Sequence, residues 1–170
     1  MTSVASNSNR PRPSPGSLSF PIPDGMHMLV ALEEGAMGFN RSGQKEGDCG
    51  LDLYVSQTTV IEPGTMRNVP TGVRVQLPGN VWGLLVGRSS TIRKRGLLVI
   101  PGIIDTGYRG LLYSAAWNLS PRTVTVKRGE RIAQLIPLPN LTPLLQLQPV
   151  GKEEMVESER GEKGFGSTGR

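Results

Sequence analysis

Short apolar runs recur along the chain, separated by turns that are rich in glycine and proline. Several of these runs alternate apolar and polar residues, the period of a half-buried strand. Regularly spaced strands with turn signals between them indicate an all-β sandwich or barrel. The predicted strands are Met28–Leu32, Leu51–Val55, Thr59–Ile61, Val73–Leu77, Val81–Val86, Leu111–Trp117, Val124–Val126 and Arg131–Ile136, with residues 144–148 as a further candidate.

One short helix interrupts this pattern. Ser89 and Ser90 are suitable N-cap residues, and residues 91–95 are long enough for about one and a half helical turns. Gly96 follows where a left-handed C′ residue would end the helix. The fold class predicted from the pattern is therefore all-β with one short helix.

The most informative stretch is Pro101–Gly110, which lies between the apolar runs Gly96–Ile100 and Leu111–Trp117. The pattern predicts a β-hairpin with an irregular turn that glycine loosens. Asp105 and Tyr108 lie in this turn. A carboxylate in a turn that cannot bury it is solvated, paired or reactive, and we interpret Asp105 as a group that activates water.

Both ends of the chain differ in composition from the middle. Residues 1–24 are rich in serine, asparagine and proline and are predicted to form a disordered arm. Residues 25–150 form the β-rich domain, and residues 151–170 form a flexible C-terminal arm. This second arm is rich in glycine, which lets backbone N–H groups approach phosphates, so it is either a lid over an active site or a plain solvated tail.

Composition narrows the possible chemistry. The chain of 170 residues has one cysteine and one histidine, which excludes an intrachain disulfide, a Cys-rich metal site and a multi-histidine site. A net charge of +5 favours anionic ligands without requiring nucleic acid. There is no apolar run long enough to cross a membrane and no apolar signal core. We expect an intracellular, cytoplasmic protein, or a nuclear one if the source is eukaryotic or viral.

Several polar positions are candidates for a phosphate site, although each has a plainer interpretation. Gly87–Ser90 joins a strand to the helix, where N–H groups, two hydroxyls and Arg88 can bind an anion or simply cap the helix. Asp52 and Gln134 each interrupt an apolar strand and either face solvent or bind ligand, and Arg131 either binds ligand or pairs with an acid. Cys49, Trp82 and Trp117 are predicted to be buried.

Taken together and in order, these segments resemble the five motifs of the trimeric dUTP pyrophosphatases (dUTPases). The resemblance covers the chain from about Met28 to the end. The third, fourth and fifth motifs are the most specific. The five matching segments are Cys49–Leu53, Gly87–Ser90, Gly102–Gly110, Gly129–Leu135 and Arg160–Gly169.

The resemblance implies a jelly-roll-like subunit in a homotrimer, with active sites shared between subunits and closed by the C-terminal arm. It implies hydrolysis of dUTP to dUMP and pyrophosphate, which supplies dUMP for dTTP synthesis and keeps uracil out of DNA. The implied partners are dUTP and two further copies of the chain, with no direct nucleic-acid or membrane partner. The implied cofactor is Mg²⁺, bridging the phosphates, with Asp52 reaching it through water.

The resemblance also assigns roles to individual residues. Asp105 is the general base for water that attacks the α-phosphorus, and Tyr108 packs on the deoxyribose and excludes a 2′-hydroxyl. The hairpin backbone reads uracil through Val99, Gly102, Ile103 and Ile104. The α- and β-phosphates are bound at the strand-to-helix junction and the fourth motif, by Arg88, Ser89, Ser90 and Gln134. The arm binds the γ-phosphate and covers the base with Arg160, Phe165, Gly166, Ser167 and Thr168.

The chain departs from the family at a few positions. Val99 stands where many relatives have an asparagine that contacts the base or water, Ser90 replaces a common glycine, and Cys49 replaces a common alanine. None of these changes removes a catalytic group, but the first leaves uracil recognition to backbone groups and bound water.

Two other functions remain alternatives. A dCTP deaminase would share the fold and the Arg-Ser-Ser signature, but it carries a glutamate in the strand after the hairpin, and residues 111–119 contain no acid. A dUTPase-like regulatory or binding protein is the other alternative, suggested by the N-terminal arm.

Overall fold

The computed structural model of the chain describes residues 26–158. Within that range it consists of ten strands, one short α-helix and two single turns of 3₁₀ helix, so the predicted all-β class with one helix is confirmed. The strands are β1 (Leu29–Leu32), β2 (Leu51–Leu53), β3 (Thr59–Ile61), β4 (Met66–Gln76), β5 (Val81–Gly87), β6 (Leu97–Val99), β7 (Gly102–Ile104), β8 (Leu111–Asn118), β9 (Val124–Val126) and β10 (Ala133–Pro139); the helix is α1 (Ser89–Arg95), and the 3₁₀ turns are Thr142–Leu144 and Lys152–Glu154.

The strands form two four-stranded antiparallel sheets and one two-stranded sheet. The first sheet has the order β1-β4-β8-β6, the second has the order β2-β10-β5-β7, and β3 pairs with β9. Strand β8 alternates buried and exposed residues along its whole length, as expected for a sheet with one face in the core. The core is built from apolar side chains of both larger sheets, including Val69, Val73, Leu97, Leu112, Leu53, Leu85 and Leu135.

The helix begins at Ser89, two residues before its predicted start at Thr91. Arg88 occupies the N-cap position with extended backbone angles and no side-chain cap, so Ser89 and Ser90 are the first helical residues. Gly96 ends the helix at φ 66°, in the left-handed region that glycine favours, as predicted. The serine hydroxyls are therefore not used as caps.

The central hairpin is partly as predicted. Strands β6 and β8 pair antiparallel, with Leu97 opposite Asn118 and Val99 opposite Ala116. Pro101 has no N–H to continue this ladder. The chain then crosses to the second sheet, where β7 pairs with β5, and the turn that carries Asp105 follows β7.

Three further predictions are wrong. Residues 144–148 do not form a strand, because Leu144 ends a 3₁₀ turn that begins at Thr142 and residues 145–148 are irregular. Trp117 is 41% exposed, because the alternation of β8 turns it away from the core. Cys49 is exposed in the loop before β2 rather than buried.

The chain divides into two units, one ending at Pro139 and the other beginning at Asn140. All ten strands and the helix belong to the first unit. The predicted N-terminal arm and the glycine-rich part of the predicted C-terminal arm lie outside the described residues, so both arms remain predictions. Within residues 26–158, no helix combines the length and the apolar character that a bilayer span requires.

Candidate active site

A polar cavity of about 510 Å³ opens where β5 passes into α1. Its walls come from the loop before β2, the middle of β2, the β5–α1 junction and the start of β10. The lining includes four residues predicted for phosphate binding, and Asp52 and Arg131 also face it. We call it the arginine cavity; its lining residues are Asn40, Gly43, Gln44, Asp48, Cys49, Gly50, Asp52, Arg88, Ser89, Ser90, Arg131, Gln134 and Ile136.

One carboxylate in this cavity holds two arginines. The Arg88 Nε lies 2.8 Å from Asp52 Oδ1, and the Arg131 Nη1 lies 3.2 Å from Asp52 Oδ2. The Arg131 guanidinium also lies over the ring of Tyr54, 5.6 Å from its centroid. Of the two alternatives left open for Arg131, the structure shows the pairing with an acid.

This arrangement leaves positive charge around Asp52, although a second carboxylate of the lining, that of Asp48, offsets it in the cavity as a whole. Two guanidiniums face one carboxylate, and the Asp52 side chain is only 18% exposed, so solvent screens the group less than at an open surface. The side chains of Ser89 and Ser90 line the same wall at the start of α1. Cations and hydroxyls arranged in this way can bind the oxygens of a phosphate chain.

Gln134 completes the wall through its position in the sheet. It lies opposite Asp52 in the β2–β10 pairing, and its Nε2 donates to the carbonyl of Gly87 at 3.4 Å. A Cβ atom at position 50 would lie 2.1 Å from Gln134 Oε1, so a larger residue there would displace the Gln134 amide. The first, second and fourth motifs thus meet at one cavity.

Asp105 lies elsewhere, in the exposed turn that follows β7. Within residues 26–158 its carboxylate makes no hydrogen bond or ion pair, while its carbonyl accepts from the N–H of Tyr108 at 2.9 Å. The next residue, Thr106, donates its hydroxyl to the carbonyl of Val81 at 2.6 Å. Arg109 closes the turn by donating from Nη1 to the carbonyls of Thr106 and Tyr108, each at 2.8 Å.

Tyr108 is fixed beside this turn. Its hydroxyl donates to the carbonyl of Leu111 at 2.9 Å, and a Cβ at Gly110 would lie 2.3 Å from the hydroxyl oxygen. Tyr108 is 41% exposed and borders a small cavity of about 270 Å³. We call this the hairpin cavity; it is lined by Ile103, Ile104, Tyr108, Leu111, Leu112 and Tyr113.

The two halves of the predicted site lie at opposite ends of β5. Ile104 pairs with Gly83, which places Asp105 next to the start of β5, whereas Arg88 follows its end. At about 3.3 Å per strand residue, the backbones of Asp105 and Arg88 are roughly 20 Å apart. Groups that touch the same phosphate through hydrogen bonds of about 3 Å must lie much closer than that. One chain therefore does not bring Asp105 to the arginine cavity.

The comparisons with known proteins decide the family. A family model described as dUTPase matches residues 39–169. The chain belongs to the dUTPase family. It is 38% identical over 131 residues to the deoxyuridine 5'-triphosphate nucleotidohydrolase of Mycolicibacterium gilvum, covering 73% of this chain and 83% of that protein. The enzyme of the same name from Clostridium kluyveri is 37% identical over 126 residues, covering 73% and 85%.

Solved structures agree with this dUTPase assignment. The dUTPase of Staphylococcus bacteriophage 80alpha, determined with dUPNHPP, matches with a TM-score of 0.76 and 32% identity, covering 85% of this chain and 99% of that one. The family and its enzyme class, dUTP diphosphatase, are therefore confirmed as predicted. Neither the deaminase nor the regulatory alternative is favoured by these matches.

Other residues predicted for the dUTPase site have varied surroundings. Val99 is buried in the core, 4% exposed, so its side chain does not face a ligand in this chain. Gly102 pairs with Leu85 in the sheet. The arm residues Arg160, Phe165, Gly166, Ser167 and Thr168 lie outside the described residues, and their roles stay predictions.

Sequence reasoning missed two residues that support the arginine cavity. Asn40 is 7% exposed, and its Oδ1 accepts from the Tyr54 hydroxyl at 3.0 Å and from the N–H of Gly43 at 3.3 Å. Tyr54 in turn lies under Arg131. No local sequence pattern indicated a role for Asn40, because it lies in a polar loop and its partner Tyr54 is fourteen residues away.

Proposed function

We propose that this protein hydrolyses dUTP to dUMP and pyrophosphate in active sites that are each assembled from more than one copy of the chain. The observation that carries the proposal is the separation of roughly 20 Å between Asp105 and the arginine cavity in a chain that has all five dUTPase motifs. A second copy that places its Asp105 turn at the arginine cavity of the first would reunite them. Three copies is the assembly that the family resemblance implies.

In this site the triphosphate lies in the arginine cavity. Arg88, Ser89, Ser90 and Gln134 hold the α- and β-phosphates, and Asp52 keeps Arg88 directed toward them before substrate arrives. Cations held in place in advance stabilise the charge that builds on the departing pyrophosphate without reorganising during the reaction.

Asp105 from the second copy orients a water molecule and accepts its proton as the water oxygen attacks the α-phosphorus. The bond between that phosphorus and the bridging oxygen breaks, and pyrophosphate leaves with the bonding electrons. Exposure suits Asp105 to this role, because the carboxylate has no partner among residues 26–158 that would compete for the water.

The hairpin supplies selectivity in this proposal. The backbone from Val99 through Gly102 and Ile103 to Ile104 reads the edge of uracil, and the ring of Tyr108 lies against the deoxyribose. Because the Tyr108 hydroxyl is fixed to the carbonyl of Leu111, the ring resists moving aside for a 2′-hydroxyl. The same site therefore rejects UTP.

Magnesium fits the donors that are present. Residues 26–158 contain no group of three His, Cys, Asp or Glu side chains that could hold a metal alone. Mg²⁺ bound with nucleotides takes one or two carboxylates, phosphate oxygens and water, and both oxygens of Asp52 already face guanidiniums, so contact through water suits this residue. When bound, the ion would neutralise charge on the phosphates.

The C-terminal arm and the location complete the proposal. Arg160, Gly166, Ser167 and Thr168 bind the γ-phosphate and Phe165 covers uracil, as the family match through residue 169 supports. We place the enzyme in the cytoplasm, where it would act on free dUTP.

Pyrophosphate release tests the proposed reaction. With Mg²⁺ present, we expect release from dUTP at least ~100-fold faster, in kcat/KM, than from UTP, dCTP or dTTP, because a fixed site rejects groups that clash or leave polar atoms unpaired. Ammonia release from dCTP would indicate a deaminase instead. A folded protein that binds dUPNHPP but releases pyrophosphate from none of the four nucleotides would contradict the proposal.

A further inference from the structure

The turn that carries Asp105 begins where an ordinary strand ladder ends. The last pair between β7 and β5 is Ile104 with Gly83. Continuing the ladder would place Asp105 opposite Trp82 and Thr106 opposite Val81. The chain turns instead at Thr106 and Gly107, so Asp105 itself has no sheet pairing to hold its backbone.

Beyond Ile104, a side-chain hydrogen bond replaces the backbone ladder. The Thr106 hydroxyl donates to the carbonyl of Val81 at 2.6 Å, joining the positions that an extended ladder would have paired. The Val81 N–H bonds to the carbonyl of Pro78 at 2.9 Å, so the acceptor belongs to a fixed turn at the start of β5. Asp105 is thus bracketed by the Ile104–Gly83 pair on one side and the Thr106 hydroxyl on the other.

Thr106 also links this anchor to the rest of the turn. Its carbonyl accepts from Arg109 Nη1 at 2.8 Å, and the carbonyl of Arg109 accepts from Arg74 Nη1 at 3.2 Å. Arg74 lies on β4 and pairs with Glu33 at 3.1 Å. A shift of Thr106 would therefore change the turn that follows Asp105 and carries its backbone.

We propose that Thr106 is a positioning residue for the reaction, whose hydroxyl holds the Asp105 turn against β5 so that the carboxylate meets its water at the correct distance. The inference rests on the proposed role of Asp105 as general base. Thr106 contacts neither the substrate nor the water in this proposal, and it acts only through the backbone of Asp105.

Thr106→Val tests the proposal, because valine keeps the branched shape and removes only the donor. We expect kcat for dUTP to fall about tenfold, since displacing a reacting group by a fraction of an ångström is costly. The KM and the affinity for dUPNHPP should stay within about twofold, because phosphate and uracil contacts are made by other residues. Thr106→Ser keeps the donor and should restore most of the loss.

Thr65→Val is the matched control. The Thr65 hydroxyl also donates to a backbone carbonyl, that of Glu62 at 2.9 Å, but in the turn between β3 and β4. The Thr65→Val variant should leave kcat for dUTP unchanged. If Thr106→Val does not assemble, Thr106→Ala replaces it in the comparison with Thr106→Ser.

The outcomes separate this inference from the proposed function. Wild-type kcat in Thr106→Val, together with an inactive Asp105→Asn, would overturn the positioning role and leave the general base in place. Equal losses of kcat in Thr106→Ser and Thr106→Val would also overturn it, because the hydroxyl would not be the cause. Near-wild-type turnover in Asp105→Asn would instead remove Asp105 from the base role on which this inference rests.

Discussion

Replacing Asp105 with asparagine should lower kcat for dUTP by roughly 1,000-fold, within the range that a positioned general base contributes. Asparagine has nearly the same size as aspartate but cannot accept a proton at neutral pH. The Asp105 side chain is exposed and has no hydrogen bond or ion pair within residues 26–158, so the substitution breaks no contact there. Folding and binding of dUPNHPP should therefore be retained.

Steady-state kinetics and thermal unfolding should be measured on the same preparation. Glu62→Gln is a suitable control, because it removes one negative charge from another exposed turn, where Glu62 accepts from the Thr123 hydroxyl. It should leave kcat within about twofold of the wild type, since exposed pairs contribute little. Turnover near the wild-type value in Asp105→Asn would remove Asp105 from the base role.

The short-range pattern of the sequence was enough to predict most of the strands and the end of the helix. Alternation locates β8, and Gly96 ends α1 because few other residues adopt its φ of 66°. The same alternation, applied to Trp117, would have predicted its exposure, whereas residue type alone suggested burial. Residue type was a poorer guide than strand period.

Contacts between distant segments could not be predicted from local pattern. The switch of β7 from the β8 hairpin to β5 depends on two sheets being packed together, and no local period encodes it. Asp52 was recognised as a polar break in a strand, but its pairing with two arginines depends on the β2–β10 register. The order of the motifs predicted that Asp52, Arg88 and Asp105 belong to one site. The fold adds that, within a single chain, Asp105 lies far from the other two.

Two inactive variants should restore activity to each other if the sites are shared. Asp105→Asn disables the hairpin half, and Arg88→Ala should disable the phosphate half by roughly 100-fold, the usual cost of removing a charge-stabilising donor. When the two are co-expressed at equal levels, about one site in four should combine an intact Asp105 with an intact Arg88 from the other chain, as random assembly of a symmetric oligomer requires. We expect about a quarter of wild-type kcat per site, measured by pyrophosphate release.

The roughly 20 Å between Asp105 and Arg88 along β5 is the reason to expect this result. Co-expressing wild type with the double variant Asp105→Asn, Arg88→Ala is the matched control, because it places both defects in one chain. Shared sites should then give about a quarter of wild-type activity, whereas sites within single chains should give about half. Mixed single variants that stay as inactive as their parents, in assemblies shown by two affinity tags to contain both chains, would mean that one chain folds Asp105 and Arg88 into the same site.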